Sequence, residues 1–157
     1  MSNRNPKRID VLLVEDDAGD VELTKEGLLA AKMLVNLHVV VDGEKAMQFL
    51  RKEPPYTNAI RPDIILLDLN MPRKNGRETL KEIKADSALR SIPVVVLTTS
   101  AAETDIVSCY DLGANCYITK PVGFEAFTKV VSVIEEFWFT IVKMPPKEER
   151  PVVSLKS

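Results

Sequence analysis

Ile64-Ile65-Leu66-Leu67-Asp68-Leu69-Asn70-Met71-Pro72 is the stretch that decides the fold of this chain. Its opening run is apolar throughout, with no polar alternation, and so reads as a strand buried on both faces. Such strands belong to parallel sheets covered by helices on each side. Outward from it, Val11-Leu12-Leu13-Val14 and Val94-Val95-Val96-Leu97 repeat the pattern, and shorter β-rich runs lie at 37–41 and 116–119. Between these runs the apolar residues recur with helical spacing. The first stripe is Val21, Leu28, Ala31 and Val35; the second is Ala46, Phe49 and Leu50; the third is Leu80 and Ile83. The fourth is Ile106, Val107, Tyr110 and Leu112, stopped by Gly113, and the last is Phe124, Phe127, Val130, Val131, Ile134 and Phe137. Parallel strands need right-handed helical crossovers, so five strands alternating with five helices predict an α/β fold with a doubly wound five-stranded parallel sheet.

The chain has 157 residues, 21 Lys+Arg against 23 Asp+Glu, and a hydrophobic fraction of 45%. These values predict one soluble domain with a full core, held without a metal staple or disulfide scaffold. A folded unit is expected over 9–142, after a short N-terminal extension at 1–8 and before a Pro-rich, charged tail at 143–157. Residues 53–62, with Pro54, Pro55 and Pro62, read as an unusually long connection between the second helix and the third strand. The formal net charge of −2 argues against a nucleic-acid partner. Cys109 and Cys116, with no metal-ligand spacing to the lone His38, fit a reducing compartment. No apolar run nears the ~20 residues that span a bilayer, and the first residues lack a signal-peptide segment. A cytoplasmic protein without membrane contact is the expectation.

An open parallel sheet binds ligands beyond the C-terminal ends of its strands. Here the first strand ends in Glu15-Asp16-Asp17, the third in Asp68, the fourth in Thr98-Thr99-Ser100 and the fifth in Thr119-Lys120-Pro121. Each has an ordinary reading on its own: Asp16 or Asp17 as a helix cap, Asp68 as a turn former, Thr98 as a cap, Lys120 as a solvated surface charge. Their joint placement at four strand ends is hard to explain as capping. Crowded carboxylates repel and call for a cation, and oxygen ligands with room for water suit Mg²⁺. A carboxylate beside such a cation can accept a phosphoryl group as an acyl phosphate. Lys120 would pair with the phosphoryl oxygens and Thr98 would donate its hydroxyl to another.

Four ordered motifs carry a resemblance. They are Val11-Leu12-Leu13-Val14-Glu15-Asp16-Asp17, Asp68-Leu69-Asn70-Met71-Pro72-Arg73-Lys74-Asn75-Gly76, Pro93-Val94-Val95-Val96-Leu97-Thr98 and Gly113-Ala114-Asn115-Cys116-Tyr117-Ile118-Thr119-Lys120-Pro121. The chain resembles the response-regulator receiver domain of two-component signalling over Ile9 to about Phe139. That resemblance implies a flavodoxin-like (β/α)5 fold with strand order 2-1-3-4-5. It implies that Asp68 is the phosphoacceptor and that Asp16, Asp68 and the Asn70 backbone carbonyl are Mg²⁺ ligands. Glu15, where many members have Asp, would hold a metal-bound water. Thr98 would be the switch hydroxyl, Tyr117 the switch aromatic and Lys120 the phosphate-binding lysine, with Lys120-Pro121 joined by a cis peptide. Asn70 and Ser100 would tune dephosphorylation. The loop at 54–62, Phe137-Trp138-Phe139 and Met144-Pro145-Pro146 look like those of single-domain response regulators paired with cyanobacterial or bacterial phytochrome histidine kinases. Such a kinase is then the expected partner, signalling through the fourth helix, fifth strand and fifth helix.

Consecutive helical residues point about 100° apart, so Phe137, Trp138 and Phe139 cannot all face one core. Exposed aromatics at a chain end mark an interface, which predicts a homodimer through the last helix and tail. His38 reads as a partly exposed sheet residue. The rival function is a metal-dependent aspartyl-phosphate phosphohydrolase of the haloacid-dehalogenase type, which usually needs a second acid two residues past the nucleophile; Asn70 stands there. A flavodoxin-like electron carrier shares the topology, but Glu15-Asp16-Asp17 would repel an FMN phosphate. The tail is too short for a helix-turn-helix module, so output is expected through protein contacts or return phosphotransfer.

Overall fold

At the heart of the sheet lies β3 (Ile64–Leu67), flanked by β1 (Arg8–Val14) and β4 (Val94–Thr98). The remaining strands are β2 (Leu34–Val40), beyond β1, and β5 (Cys116–Thr119), beyond β4, so the parallel order is β2-β1-β3-β4-β5 as expected. The helices are α1 (Ala18–Leu29), α2 (Gly43–Leu50), α3 (Gly76–Ala85), α4 (Glu103–Asp111) and α5 (Phe124–Glu136). The computed structural model describes residues 8–29, 34–71 and 73–138. Ala31 of the first stripe, Phe139, the tail at 143–157 and all of the 1–8 extension except Arg8 lie outside the described residues.

The unbroken apolar runs are explained by burial on two sides. Leu12, Val14, Ile65, Leu67, Val94 and Val96 face a core closed by α2, α3 and Cys109 of α4. Val11, Leu13, Ile64, Leu66 and Val95 face the opposite side, where Ile134 of α5 packs. There α1 and α5 approach so closely that a β-carbon on Gly27 would lie 2.7 Å from Val131 Cβ.

Three readings of the pattern change. Val35 belongs to β2 and not to the α1 stripe, because β2 starts at Leu34. That early start is polar: Asn36 Nδ2 donates to the buried Asp10 carboxylate at 3.1 Å, and His38 Nε2 lies 3.3 Å from the same oxygen. An edge strand paired on one side tolerates such a rung, which an apolar-run search passes over. In α4, Val107 and Tyr110 face solvent while Cys109 is buried, since the helix meets the sheet along one narrow line. The cis peptide joins Pro54 and Pro55, and the Lys120–Pro121 bond is trans, the preferred isomer. Residues 53–62 are packed down by Tyr56 and Ala59 against the core, with the Tyr56 ring 5.6 Å from that of Phe49.

Helix starts aim the strand-end loops. Asn75 caps α3 with a reciprocal box, its side chain accepting from Glu78 N at 3.0 Å while Glu78 Oε1 accepts from Asn75 N at 3.0 Å. Among the described residues no helix is long and apolar enough to cross a membrane.

Candidate functional site

The strand ends bring three acids to one point. Glu15 follows β1, and its backbone N–H is tied to Val40 O at 3.0 Å; Asp68 follows β3, tied to Val14 O at 3.1 Å. Carboxylate oxygens of Glu15, Asp16 and Asp68 all lie within 4.8 Å of one another, with Glu15 and Asp68 buried and Asp16 exposed. Asp17, beside them, takes the ordinary capping role: its Oδ1 accepts from Asp20 N at 3.0 Å at the start of α1.

Lys120, at the end of β5, points into the same cluster. Its buried ammonium donates to Glu15 Oε1 at 2.6 Å and to Asp20 Oδ2 at 2.7 Å, and lies 3.9 Å from Asp68 Oδ2. Burial opposes the Lys120 charge, but the hydrogen bonds to Asp20 and Glu15 outweigh it and hold the lysine above its ordinary range. Glu15 is pushed up to about 7, chiefly by burial; the Asp68 charge adds to that rise, against the lowering effect of Lys120. Two buried carboxylates with one lysine between them leave unbalanced negative charge, which a divalent cation would neutralise.

The remaining expected residues line the same edge. Thr98 is fully buried at the end of β4, where its Oγ1 accepts from Ser100 N at 3.5 Å. Tyr117 in β5 donates its hydroxyl to the Ser100 carbonyl at 2.9 Å, so the two residues expected to switch are joined through one short loop. Asn70 is exposed just past Asp68. Sequence reasoning missed Asp20, whose pairing with Lys120 spans 100 positions and has no local signal. It also missed the clamp on Ser100, whose hydroxyl donates to Asp105 at 2.6 Å while Arg77 of α3 pairs with the same carboxylate. Phe137 is exposed and Trp138 half-buried, packed back over the sheet face that holds Ile9 and Ile134.

The sequence of residues 11–132 matches the family model described as the response regulator receiver domain. The chain belongs to the receiver family. It is 45% identical over 141 residues to response regulator Rcp1 of Synechocystis sp., covering 90% of this chain and 95% of the relative. Among solved structures, the phosphorylated cyanobacterial phytochrome response regulator RcpA superposes with a TM-score of 0.86 at 47% identity, covering 89% of this chain and 100% of that one. The Mn²⁺-bound form of Rcp1 gives 0.84 at 45% identity, covering 88% and 99%. This receiver is therefore a response regulator related to those of cyanobacterial phytochromes, and the phosphohydrolase alternative finds no support.

The donor set of this receiver fits a hard divalent cation: three carboxylates within reach, two of them desolvated. Protons should compete with it at Glu15. A carboxyl titrating at about 7 is ionised at about pH 8 and mostly protonated at about pH 6, so Mn²⁺ affinity should fall roughly tenfold between them. Titration of free Mn²⁺ by electron paramagnetic resonance measures this; a pH-independent affinity would show that Glu15 takes no part. The sign for folding follows from the same shift. The native state binds the Glu15 proton more tightly than the unfolded chain, so without a cation this group lowers stability as pH rises from 4.5 to about 7.

Proposed function

We propose that this chain accepts a phosphoryl group on Asp68 from a sensor histidine kinase of the phytochrome type and signals by a change of shape. The observation that carries the reading is the placement of the Asp68 carboxylate, at the tip of the central strand, within 4.8 Å of carboxylate oxygens of Glu15 and Asp16 and 3.9 Å from the Lys120 ammonium. In the transfer an Asp68 carboxylate oxygen attacks phosphorus. The new P–O bond forms as the P–N bond to the kinase imidazole breaks, and the nitrogen keeps the electron pair. Asp16, Asp68 and the Asn70 carbonyl would hold Mg²⁺, with Glu15 acting through a water. Bound there, the ion supplies charge neutralisation to the acids and the transferred group. Lys120 then orients the phosphoryl oxygens and Thr98 donates its hydroxyl to one of them. Its inward turn would pull the Ser100 loop that holds Tyr117, and so rearrange the α4–β5–α5 face. The protein is a phosphoacceptor in this reading, not an enzyme that turns over a separate substrate.

The phytochrome reading is supported by the likeness of this chain to the cyanobacterial phytochrome response regulator RcpA, which extends over 89% of this chain and all of that one. It is tested by mixing the protein and Mg²⁺ with a radiolabelled phytochrome kinase under red and far-red light. Label should pass to the receiver, at a level that follows the kinase's own light-dependent labelling. A receiver that takes no label from any phytochrome kinase, yet is labelled by another histidine kinase, would move it to a different pathway.

Cytoplasmic location and output through protein contacts complete the reading, with a homodimer through α5 and the tail as the assembled form. Trp138 is partly used by its own domain, which leaves Phe124 and Val133 of α5, and Phe137 at its C-terminal cap, as exposed large apolar residues, the last two together at the helix end. A charge there cannot be buried cheaply. Phe137→Asp should therefore convert a dimer into a monomer in light scattering at micromolar concentration, and an unchanged mass would remove α5 from the interface.

A further inference from the structure

Asp68 is not the acid that holds the site's lysine. The Lys120 ammonium is bonded at 2.6 Å to Glu15 and at 2.7 Å to Asp20, and stands 3.9 Å from Asp68. Asp20 comes from the first turn of α1, where its backbone N–H is fixed by Asp17 Oδ1 at 3.0 Å and its carbonyl accepts from Thr24 Oγ1 at 2.8 Å. Its side chain is about a quarter exposed, whereas that of Lys120 is 4% exposed and Glu15's 3%. One partner of the lysine is therefore deep in the acid cluster, and the other anchors it from the rim.

We propose that Asp20 is a positioning residue for phosphoryl transfer, holding the Lys120 ammonium off Asp68 so that the Asp68 oxygen stays free to attack. The proposal rests on the reading of Asp68 as the phosphoacceptor. Glu15 cannot serve the lysine and a cation with full effect at once, because its charge is shared between them. When the acid cluster is engaged by a cation, Asp20 is the bonded partner that still belongs to Lys120. A buried ammonium does not remain unpaired. Without Asp20, and with Glu15 shared with a cation, the next acceptor within reach is Asp68 at 3.9 Å, and a carboxylate drawn into a direct hydrogen-bonded ion pair is a weaker nucleophile. Held at the rim by Asp20, the same charge is close enough to meet the phosphoryl oxygens as they arrive.

The test compares full-length wild type, Asp20→Asn, Asp20→Glu and Glu22→Gln, incubated with acetyl phosphate at saturating Mg²⁺ and followed by intact mass. Asp20→Asn should gain the phosphoryl about tenfold more slowly, since small losses of alignment at the reacting group are costly. Asp20→Glu, which keeps a carboxylate to pair with Lys120, should recover most of the rate. Glu22→Gln removes a charge from the same helix at a residue paired with Lys25, and should leave the rate unchanged. A thermal midpoint within experimental error of wild type for Asp20→Asn would separate a positioning role from a loss of fold. The proposal is overturned if Asp20→Asn matches wild type, or if Asp20→Asn and Glu22→Gln are slowed equally, which would make the effect one of general charge. A wild-type protein that gains no phosphoryl at all, or an Asp68→Asn protein that gains it normally, would instead overturn the acceptor assignment beneath it.

Discussion

Asp68→Asn should abolish phosphoryl transfer while leaving a folded protein, a loss of at least about a thousandfold in the rate of label uptake from a histidine kinase. The side chain keeps its shape, so packing at the end of β3 is preserved. What goes is the anionic oxygen: the amide carbonyl is a poor nucleophile and its NH₂ can only donate. The substitution also removes one of two buried like charges. Asp68 helps to push Glu15 up, so its neutralisation should lower the Glu15 pKa and raise stability in metal-free buffer, with the lost attraction to Lys120 at 3.9 Å offsetting part of the gain. The two readouts move in opposite directions, which distinguishes lost chemistry from misfolding. Uptake of label at the wild-type rate would assign the acceptor elsewhere; a lowered denaturation midpoint without metal would contradict the electrostatic picture of the cluster.

The second large effect comes from a residue that carries no chemistry. Gly76 opens α3, and its N–H donates to Leu69 O at 2.9 Å, so the helix begins directly against the loop that follows Asp68. A β-carbon on Gly76 would collide with the Asp68 carbonyl oxygen and lie 2.6 Å from Leu69 Cα. Both obstacles are backbone, which cannot swing aside as a long side chain would. Gly76→Ala should therefore cost roughly 3 kcal/mol, the upper range for overpacking. It should also slow phosphorylation of the folded fraction, because the relief available is a shift of the strand end that bears Asp68. Urea denaturation gives the first quantity and intact-mass kinetics at low temperature the second. A variant as stable as wild type would mean that α3 can retreat from β3 without cost.

Much of this was legible in the chain. Ile64–Leu67 and its counterparts announce strands buried on both sides, because an alternating strand would waste half of its apolar residues on water. The motifs at Glu15-Asp16-Asp17, Asp68, Thr98 and Lys120 identify a site because topology collects strand ends at one edge. Other features were legible only in part. The start of β2 was hidden by Asn36 and His38, polar residues that earn their place by bonding Asp10 across the strand pair. Val107 and Tyr110 fit a helical stripe yet face solvent, since periodicity gives a face and not the depth to which it is buried.

By itself the sequence determined the fold class and the residue types at each strand tip, which follow from local patterns and short motifs; the strand order was implied by the family those motifs resemble. Only tertiary structure decided which acids hold Lys120, how far that ammonium stands from Asp68, and that Gly76 must lack a side chain. Those facts depend on groups such as Asp20 and Lys120, 100 positions apart, meeting at hydrogen-bond distance. Energies at that range change steeply over tenths of an ångström, and no pattern along the chain encodes such a distance.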